Sequence, residues 1–294
     1  KFKIILGVLV GIAAIVVAGY YLSTVNIEVL NPKGEIASKQ RDLMLFAALL
    51  SLIVIIPVYA LAFTFLFKYK ESKKAAYKPD WDGDAKLETI WWGVPILLIF
   101  VLSVVTWNSS HALDPFKPLD STVEPLEVQV VALQWKWLFI YPEQNVATIN
   151  YVQVPVDRPI NFKITADAPM NSLWIPQLGG QIYAMTGMTT QLHLVADEAG
   201  SYNGSSANIS GEGFAGMRFK VNATSVAEFD NWVSWAQGTD ESLTLERYNE
   251  LAKPSQNSWP ATYAPVDADL YDTILAKYML HPSQHEHHET ETMD

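Results

Sequence analysis

The stretch from Gly200 to Met217, G-S-Y-N-G-S-S-A-N-I-S-G-E-G-F-A-G-M, gathers side chains that could do chemistry: the hydroxyls of Ser206 and Ser210, the amide of Asn208, the ring of Phe214 and the thioether of Met217. Gly200, Gly204, Gly211, Gly213 and Gly216 punctuate it, and a chain so supplied with glycine turns tightly. It then enters the alternation Met217, Phe219, Val221, so the stretch reads as a tight loop feeding a strand. Upstream, Asn171-Ser172 and Pro176-Gln177-Leu178-Gly179 add another amide and hydroxyl. Hydroxyl, amide and phenyl groups are poor ligands for a soft transition metal, which prefers thiolate and imidazole. Hydrogen bonding is therefore the chemistry expected of this group, each member satisfying another or nearby backbone, because an unpaired buried polar atom costs about 1–3 kcal/mol.

Glu88 is the second candidate. It stands in Lys86-Leu-Glu88-Thr-Ile-Trp-Trp-Gly-Val-Pro95, at the mouth of the uncharged run Thr89–Trp107. An acid there can complement a helix dipole for about 0.3–1 kcal/mol, or it can exchange protons at the boundary of a membrane segment. The aromatic cluster Gln134-Trp135-Lys136-Trp137 reads as core or interface packing. His111 follows the last apolar run and reads as an interfacial polar residue, and His193 shares a strand face with Gln191, which predicts solvent exposure. Four of the six histidines crowd the tail His281-Pro-Ser-Gln-His285-Glu-His287-His288. Such a tract can bind metal adventitiously, although an acidic terminus of this kind is expected to be disordered. No Ser-His-Asp grouping, phosphate-binding glycine loop or paired-carboxylate site stands out.

The elements that must position these residues follow from composition. Of 294 residues, 50% are hydrophobic and 17% charged, which points to a membrane protein. A net charge of −11 argues against nucleic acid as a partner. The absence of cysteine excludes disulfides, zinc–cysteine sites, thiol catalysis and lipid attachment through cysteine. Uncharged runs at Ile4–Leu22, Leu43–Phe67 and Thr89–Trp107 are each long enough to cross a hydrocarbon core of about 30 Å. The first, within residues 1–24, reads as a signal sequence or a signal-anchor helix, with the retained helix preferred; it ends Ala18-Gly19-Tyr20, like a lipoprotein cleavage box with tyrosine in place of the lipidated cysteine. The other two make a membrane hairpin within 25–110, entered through the turn Asn31-Pro32-Lys33-Gly34 and a polar stretch to Asp42. Lys68, Lys70, Lys73, Lys74, Lys78 and Lys86 lie between the hairpin's runs, against Lys33, Lys39 and Arg41 before them. That imbalance predicts a cytoplasmic loop at 68–86 and a periplasmic chain beyond it.

Residues 111–223 alternate apolar and polar in short segments at 126–133, 151–154, 160–165, 191–196 and 217–221, divided by proline and glycine. This is the pattern of an antiparallel β-sandwich with one wet face per sheet. Helices are predicted over 224–280, opening on the capping box Ser225-x-x-Glu228 and continuing at 241–252 and 267–280; residues 281–294 form the tail.

The Gly200–Met217 stretch, with its spacing, resembles the copper-binding loop of the haem-copper oxidase subunit II family. The resemblance covers most of the chain after residue 31, and it puts Ser206 and Ser210 at the family's two cysteine positions. Asn208 falls on its glutamate, Phe214 on one histidine and Asn171 on the other, and Met217 alone keeps its type. The resemblance is therefore to the ubiquinol-oxidase branch, which has the cupredoxin fold without the dinuclear copper. It implies a non-redox subunit of a proton-pumping oxidase in a bacterial inner membrane, with haems, copper and ubiquinone in subunit I and with subunits III and IV as further partners. It implies no metal and no catalytic residue in this chain, a C-terminal extension typical of quinol-oxidase subunits, and a role for Glu88 at a proton entrance. A membrane-anchored cupredoxin-like binding or assembly protein outside any oxidase is the alternative. A copper-bearing cytochrome c oxidase subunit is nearly excluded by the missing thiolates.

Overall fold

The computed structural model describes residues 27–68 and 83–279, together with 11, 13, 16, 17, 19–21, 24 and 25. Most of the first apolar run, most of the lysine-rich loop and the histidine tail lie outside the described residues. The chain divides into two compact units, residues 1–38 with 115–294, and residues 39–114.

The smaller unit is a pair of long helices, α1 (Glu35–Lys68) and α2 (Ala85–Ala112). Both are long and apolar enough to cross a membrane, with mean hydropathies of 2.6 and 2.1 over their most apolar windows. They face one another with residues at helical spacing: Ala47, Leu50, Ser51, Val54 and Ile55 on one, Pro95, Leu98, Ile99 and Leu102 on the other. Each helix outruns its uncharged stretch. The predicted polar connector before Leu43 is in fact the first turns of α1, because Glu35, Ala37, Lys39 and Gln40 are good helix formers. The approach to that helix is anchored by the Lys33 amide, which donates to the Gln177 carbonyl at 2.7 Å. Asp84 caps α2, its carboxylate accepting from the backbone of Lys86 at 2.9 Å and Leu87 at 3.3 Å.

The larger unit is a sandwich of two mixed sheets. Its strands are β1 (Leu126–Leu133), β2 (Lys136–Tyr141), β3 (Val146–Ile149), β4 (Tyr151–Pro155), β5 (Ile160–Ala166), β6 (Asn171–Trp174), β7 (Ile182–Ala184), β8 (Thr190–Leu194), β9 (Gly200–Ser206), β10 (Arg218–Thr224) and β11 (Ala261–Tyr263). The six-stranded sheet runs β11-β3-β2-β1-β5-β8 and the five-stranded sheet β4-β10-β9-β6-β7. The predicted all-antiparallel pairing is corrected at two places: β1 lies parallel to β5, and β10 parallel to β4. Both pairs are separated by long stretches of chain that pass through the other sheet, the long crossover connection that a parallel pair requires. The segment expected to be loop from Gly200 onward is strand as far as Ser206, held between β10 and β6. Gly204 is required there, since a Cβ would collide with the ring of buried Phe219.

The expectation of one wet face per sheet also fails, for the six-stranded sheet. Val130, Ala132, Trp137, Phe139 and Tyr141 point into the core between the sheets, while Val131, Leu133, Leu138, Ile140, Ala147 and Ile149 form a second apolar cluster. The C-terminal extension covers that second face with Leu243, Tyr248, Tyr263, Leu270, Tyr271 and Ile274. Its helices are α3 (Val226–Gln237), α4 (Leu245–Leu251) and α5 (Leu270–Met279). The capping box at Ser225 and Glu228 forms as predicted. The later helices are shorter than predicted, because Leu243 is drawn into a bridge with Val266 before α4 begins.

Asp167 fastens the extension. Its side chain is 2% exposed and takes Lys277 Nζ at 2.7 Å, the Tyr248 hydroxyl at 2.6 Å and the Tyr278 hydroxyl. Burial pushes this carboxyl's pKa up, but the hydrogen bonds from Lys277, Tyr248 and Tyr278 and the Lys277 charge outweigh it, and the net shift is downward. The same contact pushes the Tyr278 hydroxyl up to about 12, burial being the larger cause. A lowered carboxyl pKa stabilises the fold fully above the unfolded value of about 3.9 and loses that contribution as pH falls through the lower folded value. The protection of α5 amides against hydrogen exchange, corrected for the intrinsic pH dependence of exchange, should therefore hold from neutral pH to about pH 4 and fall only in stronger acid. Asp167→Asn should weaken docking by about 1–3 kcal/mol at neutral pH and flatten that acid dependence.

Candidate functional site at one end of the sandwich

The loops β5–β6 and β9–β10 and the turn β1–β2 meet at one end of the sandwich. Asn171 opens β6 and Ser206 closes β9, and these strands pair side by side through Leu173 and Ser206. Both residues are buried, Asn171 at 1% and Ser206 at 7% exposure. The Ser206 hydroxyl donates to Asn171 Oδ1 at 2.6 Å, with the Asn208 carbonyl 3.3 Å away. Asn171 Nδ2 turns to the Pro169 carbonyl and Asn208 Nδ2 to the Met170 carbonyl, each at 2.9 Å. Met217 is 1% exposed and its carbonyl receives the Ser206 amide at 3.1 Å; its own amide donates to the Phe214 carbonyl at 3.0 Å. Phe214 is half-buried at the start of a short 3-10 turn.

Ser210 departs from the expected satisfaction. Its hydroxyl is buried with no partner among the described residues, while its carbonyl accepts Trp135 Nε1 at 3.2 Å. Trp135 lies over the loop so closely that a Cβ on Gly213 would strike the ring. Trp135 holds a positive φ of 67° in the two-residue turn between β1 and β2, a conformation that costs a non-glycine residue of order 1–3 kcal/mol. Trp137, two residues on, is fully buried against Phe219.

The donor set does not fit a dinuclear copper centre. Among the six positions only Met217 offers sulfur, the amides and the Ser206 hydroxyl already bond to one another or to backbone, and copper electron-transfer sites are built on thiolate and imidazole. Among the described residues no group of three or more His, Cys, Asp or Glu comes together elsewhere.

Two further sequence expectations are settled by position. His193, predicted to face solvent, is 5% exposed, with Nδ1 3.0 Å from the Pro115 carbonyl. The same Pro115 carbonyl, just past α2, also accepts the His193 amide at 3.3 Å. His111 is exposed, its ring against Trp107 and Nδ1 2.7 Å from the Trp107 carbonyl. Glu88 lies in the first turn of α2, exposed, and remote in the chain from the loop site.

Lys136 is the residue the sequence reading passed over. It is 4% exposed and its amine donates to the carbonyls of Leu251, at the end of α4, at 2.7 Å and Lys253, just past it, at 2.9 Å. Burial lowers its pKa. Beside it, Asn150 accepts the Trp137 amide at 2.9 Å and donates to the Ser258 carbonyl at 2.8 Å. The signal was a lone lysine heading the otherwise apolar K-W-L-F-I-Y.

Ser206→Ala should strip Asn171 Oδ1 of its donor and lower stability by about 1–3 kcal/mol in denaturant unfolding. Copper(II) added in equimolar amount should give no thiolate-to-copper absorbance and no rise in melting temperature.

Comparison with known proteins places this geometry. Residues 142–224 match the family model for the periplasmic domain of cytochrome c oxidase subunit II, and 237–281 match the aromatic-rich motif of the same oxidases. The cytochrome bo(3) ubiquinol oxidase subunit 2 of Pseudomonas putida is 50% identical over 258 residues, 87% of this chain and 82% of that one. The ubiquinol oxidase subunit 2 of Acetobacter aceti is 46% identical over 261 residues, covering 87% and 84%. The quinol oxidase subunit 2 of Bacillus subtilis is 40% identical over 259 residues, covering 87% and 78%. Identity of 40–50% over 87% of the chain shows that it belongs to the quinol oxidase subunit 2 family.

Proposed function

We propose that this chain is the non-redox subunit II of a proton-pumping ubiquinol oxidase, an enzyme that oxidises ubiquinol and reduces dioxygen to water. The observation that carries the reading is the hydrogen-bonded Asn171–Ser206–Asn208 cluster: a loop that could have cradled metal is closed on itself by side chains. We read Asn171, Ser206, Asn208, Ser210, Phe214 and Met217 as the vestige of a copper site. Reducing equivalents then reach the oxygen chemistry through another polypeptide, subunit I, which would carry the haems, the copper and the quinol site. Subunits III and IV complete the complex.

In this reading α1 and α2 anchor the chain in a bacterial inner membrane within residues 25–110. The sandwich of 111–223 and the extension of 224–280 stand in the periplasm as a docking platform. The two long apolar helices support the anchoring, and the lysine-rich sequence between them supports the orientation. Residues 1–24 would add a signal or anchor helix, and 281–294 a tail without a metal role.

Glu88 is proposed as one side of a proton entrance. Its exposed place one turn into α2, beside the capping Asp84, suits a carboxyl that collects protons at the cytoplasmic boundary. Purified in mild detergent, the chain should carry with it haem absorbance, quinol oxidase activity and three further membrane subunits. A lone polypeptide without haem would instead match a membrane-anchored binding or assembly protein and reject the reading. In the assembled enzyme, Glu88→Ala should slow turnover about tenfold, less than the 10²–10⁴-fold typical of a group that transfers a proton in the transition state, because an entrance carboxyl only feeds the path, while Glu88→Asp largely spares it. Parental turnover in Glu88→Ala would leave the carboxylate only its helix-dipole role.

A further inference from the structure

The outer face of the five-stranded sheet carries a feature that the subunit reading does not use. Arg218 and Lys220 alternate with core-facing Phe219 and Val221 on β10, so both cations point away from the core. Their register partners on β9 are Ser205 and Asn203. Cross-strand partners stand about 4.5–5.5 Å apart at Cβ, and positions two apart on one strand about 6.5–7 Å. The four side chains therefore form one compact patch of two cations, a hydroxyl and an amide.

The patch is the floor of a cleft of about 720 Å³, walled by Glu28 of the short 3-10 turn Glu28–Leu30, by Phe214 and by Pro260 of the extension. Within it the charges are unevenly matched. Lys220 Nζ donates to Asn203 Oδ1 at 2.5 Å, and Asn203 Nδ2 donates to the Glu28 carboxylate, so an amide separates the one acid from the lysine. The Arg218 guanidinium has no hydrogen bond or ion pair with any described residue. In a chain of net charge −11, an exposed arginine left open beside a lysine that meets only an amide is a local excess of positive charge.

The size of the cleft selects the occupant. Clefts of about 300–1,000 Å³ hold ligands of many heavy atoms, so a single phosphate or sulfate would engage the cations and leave most of this volume to water. The walls mix an aromatic ring and a proline with the two cations, which suits a polypeptide segment bearing a carboxylate among apolar neighbours. Arginine offers a planar fork that a carboxylate meets with two parallel hydrogen bonds.

We propose that this cleft receives an acidic segment of a neighbouring subunit of the oxidase, an Asp or Glu side chain pairing with Arg218 and Lys220. The proposal rests on the subunit reading above, and haem absorbance with quinol oxidation in the same preparation reports on that reading separately. A photo-crosslinking residue at Ser205, such as Ser205→p-benzoylphenylalanine, keeps both cations and probes the cleft in the purified complex. The expected result is a crosslink to another oxidase subunit, mapped to a segment containing Asp or Glu. Arg218→Glu with Lys220→Glu should lower the crosslink yield about tenfold, the equivalent of about 1.4 kcal/mol, and changing the mapped acid to Arg should restore it. Retained haem with no crosslink, with crosslinks to lipid alone, or with a yield indifferent to charge reversal would overturn the proposal while leaving the subunit reading in place.

Discussion

The six-stranded sheet has two apolar faces, and the rest of the larger unit follows from covering both. Along β1 and β2 nearly every side chain is buried, with successive residues going to opposite clusters. The five-stranded sheet covers one face. The other would expose Val131, Leu133, Leu138, Ile140, Ala147 and Ile149 to water if the extension were absent. At about 25 cal/mol per Å² of apolar surface, a contiguous patch of that kind is too costly to leave wet, so the chain after residue 224 is part of the fold's core rather than an appendage. The polar fastenings, Asp167 to α5 and Lys136 to the carbonyls at and just past the end of α4, set the register of a contact that hydrophobic burial drives.

This double coverage also shapes the end of the sandwich where the candidate site lies. Lys136 and Asn150 hold the extension's loop at Leu251–Ser258, and Asn257 packs so near Gly216 that a Cβ there would meet its side chain. The glycine-rich loop is thus pinned from two directions, by the extension on one side and by Trp135 on the other. Within that loop and the start of β6, amides, one serine hydroxyl and backbone groups bond to one another. Such a network rigidifies when its members are satisfied, and Ser210 is the member that is not.

Much of the architecture was legible in the chain. Uncharged runs long enough to cross a membrane marked α1 and α2, since an unbroken apolar stretch of that length reads as helix from composition alone. Period-two alternation marked β5 and β10, where one face is wet. It failed for β2, whose K-W-L-F-I-Y is buried on both faces and so does not alternate. It failed again for β9, whose small residues resemble a loop until β10 and β6 pair on either side. His193 shows the same limit at one residue: strand parity placed it outward correctly, but parity cannot tell that the Pro115 carbonyl meets its ring.

By itself the sequence determined what chemistry is possible. Without cysteine there is no thiolate, and the serines, asparagine and phenylalanine of the Gly200–Met217 stretch supply neither sulfur nor imidazole, facts independent of any fold. Tertiary structure decided which polar groups direct their hydrogen bonds to each other and which are left open. That Asn171 and Ser206 are satisfied, Asp167 is buried among three donors and Arg218 is unpaired among the described residues depends on how the chain packs, with partners as many as 111 residues away. Side-chain identity sets a donor's capacity, but only the packed chain brings its acceptor within reach.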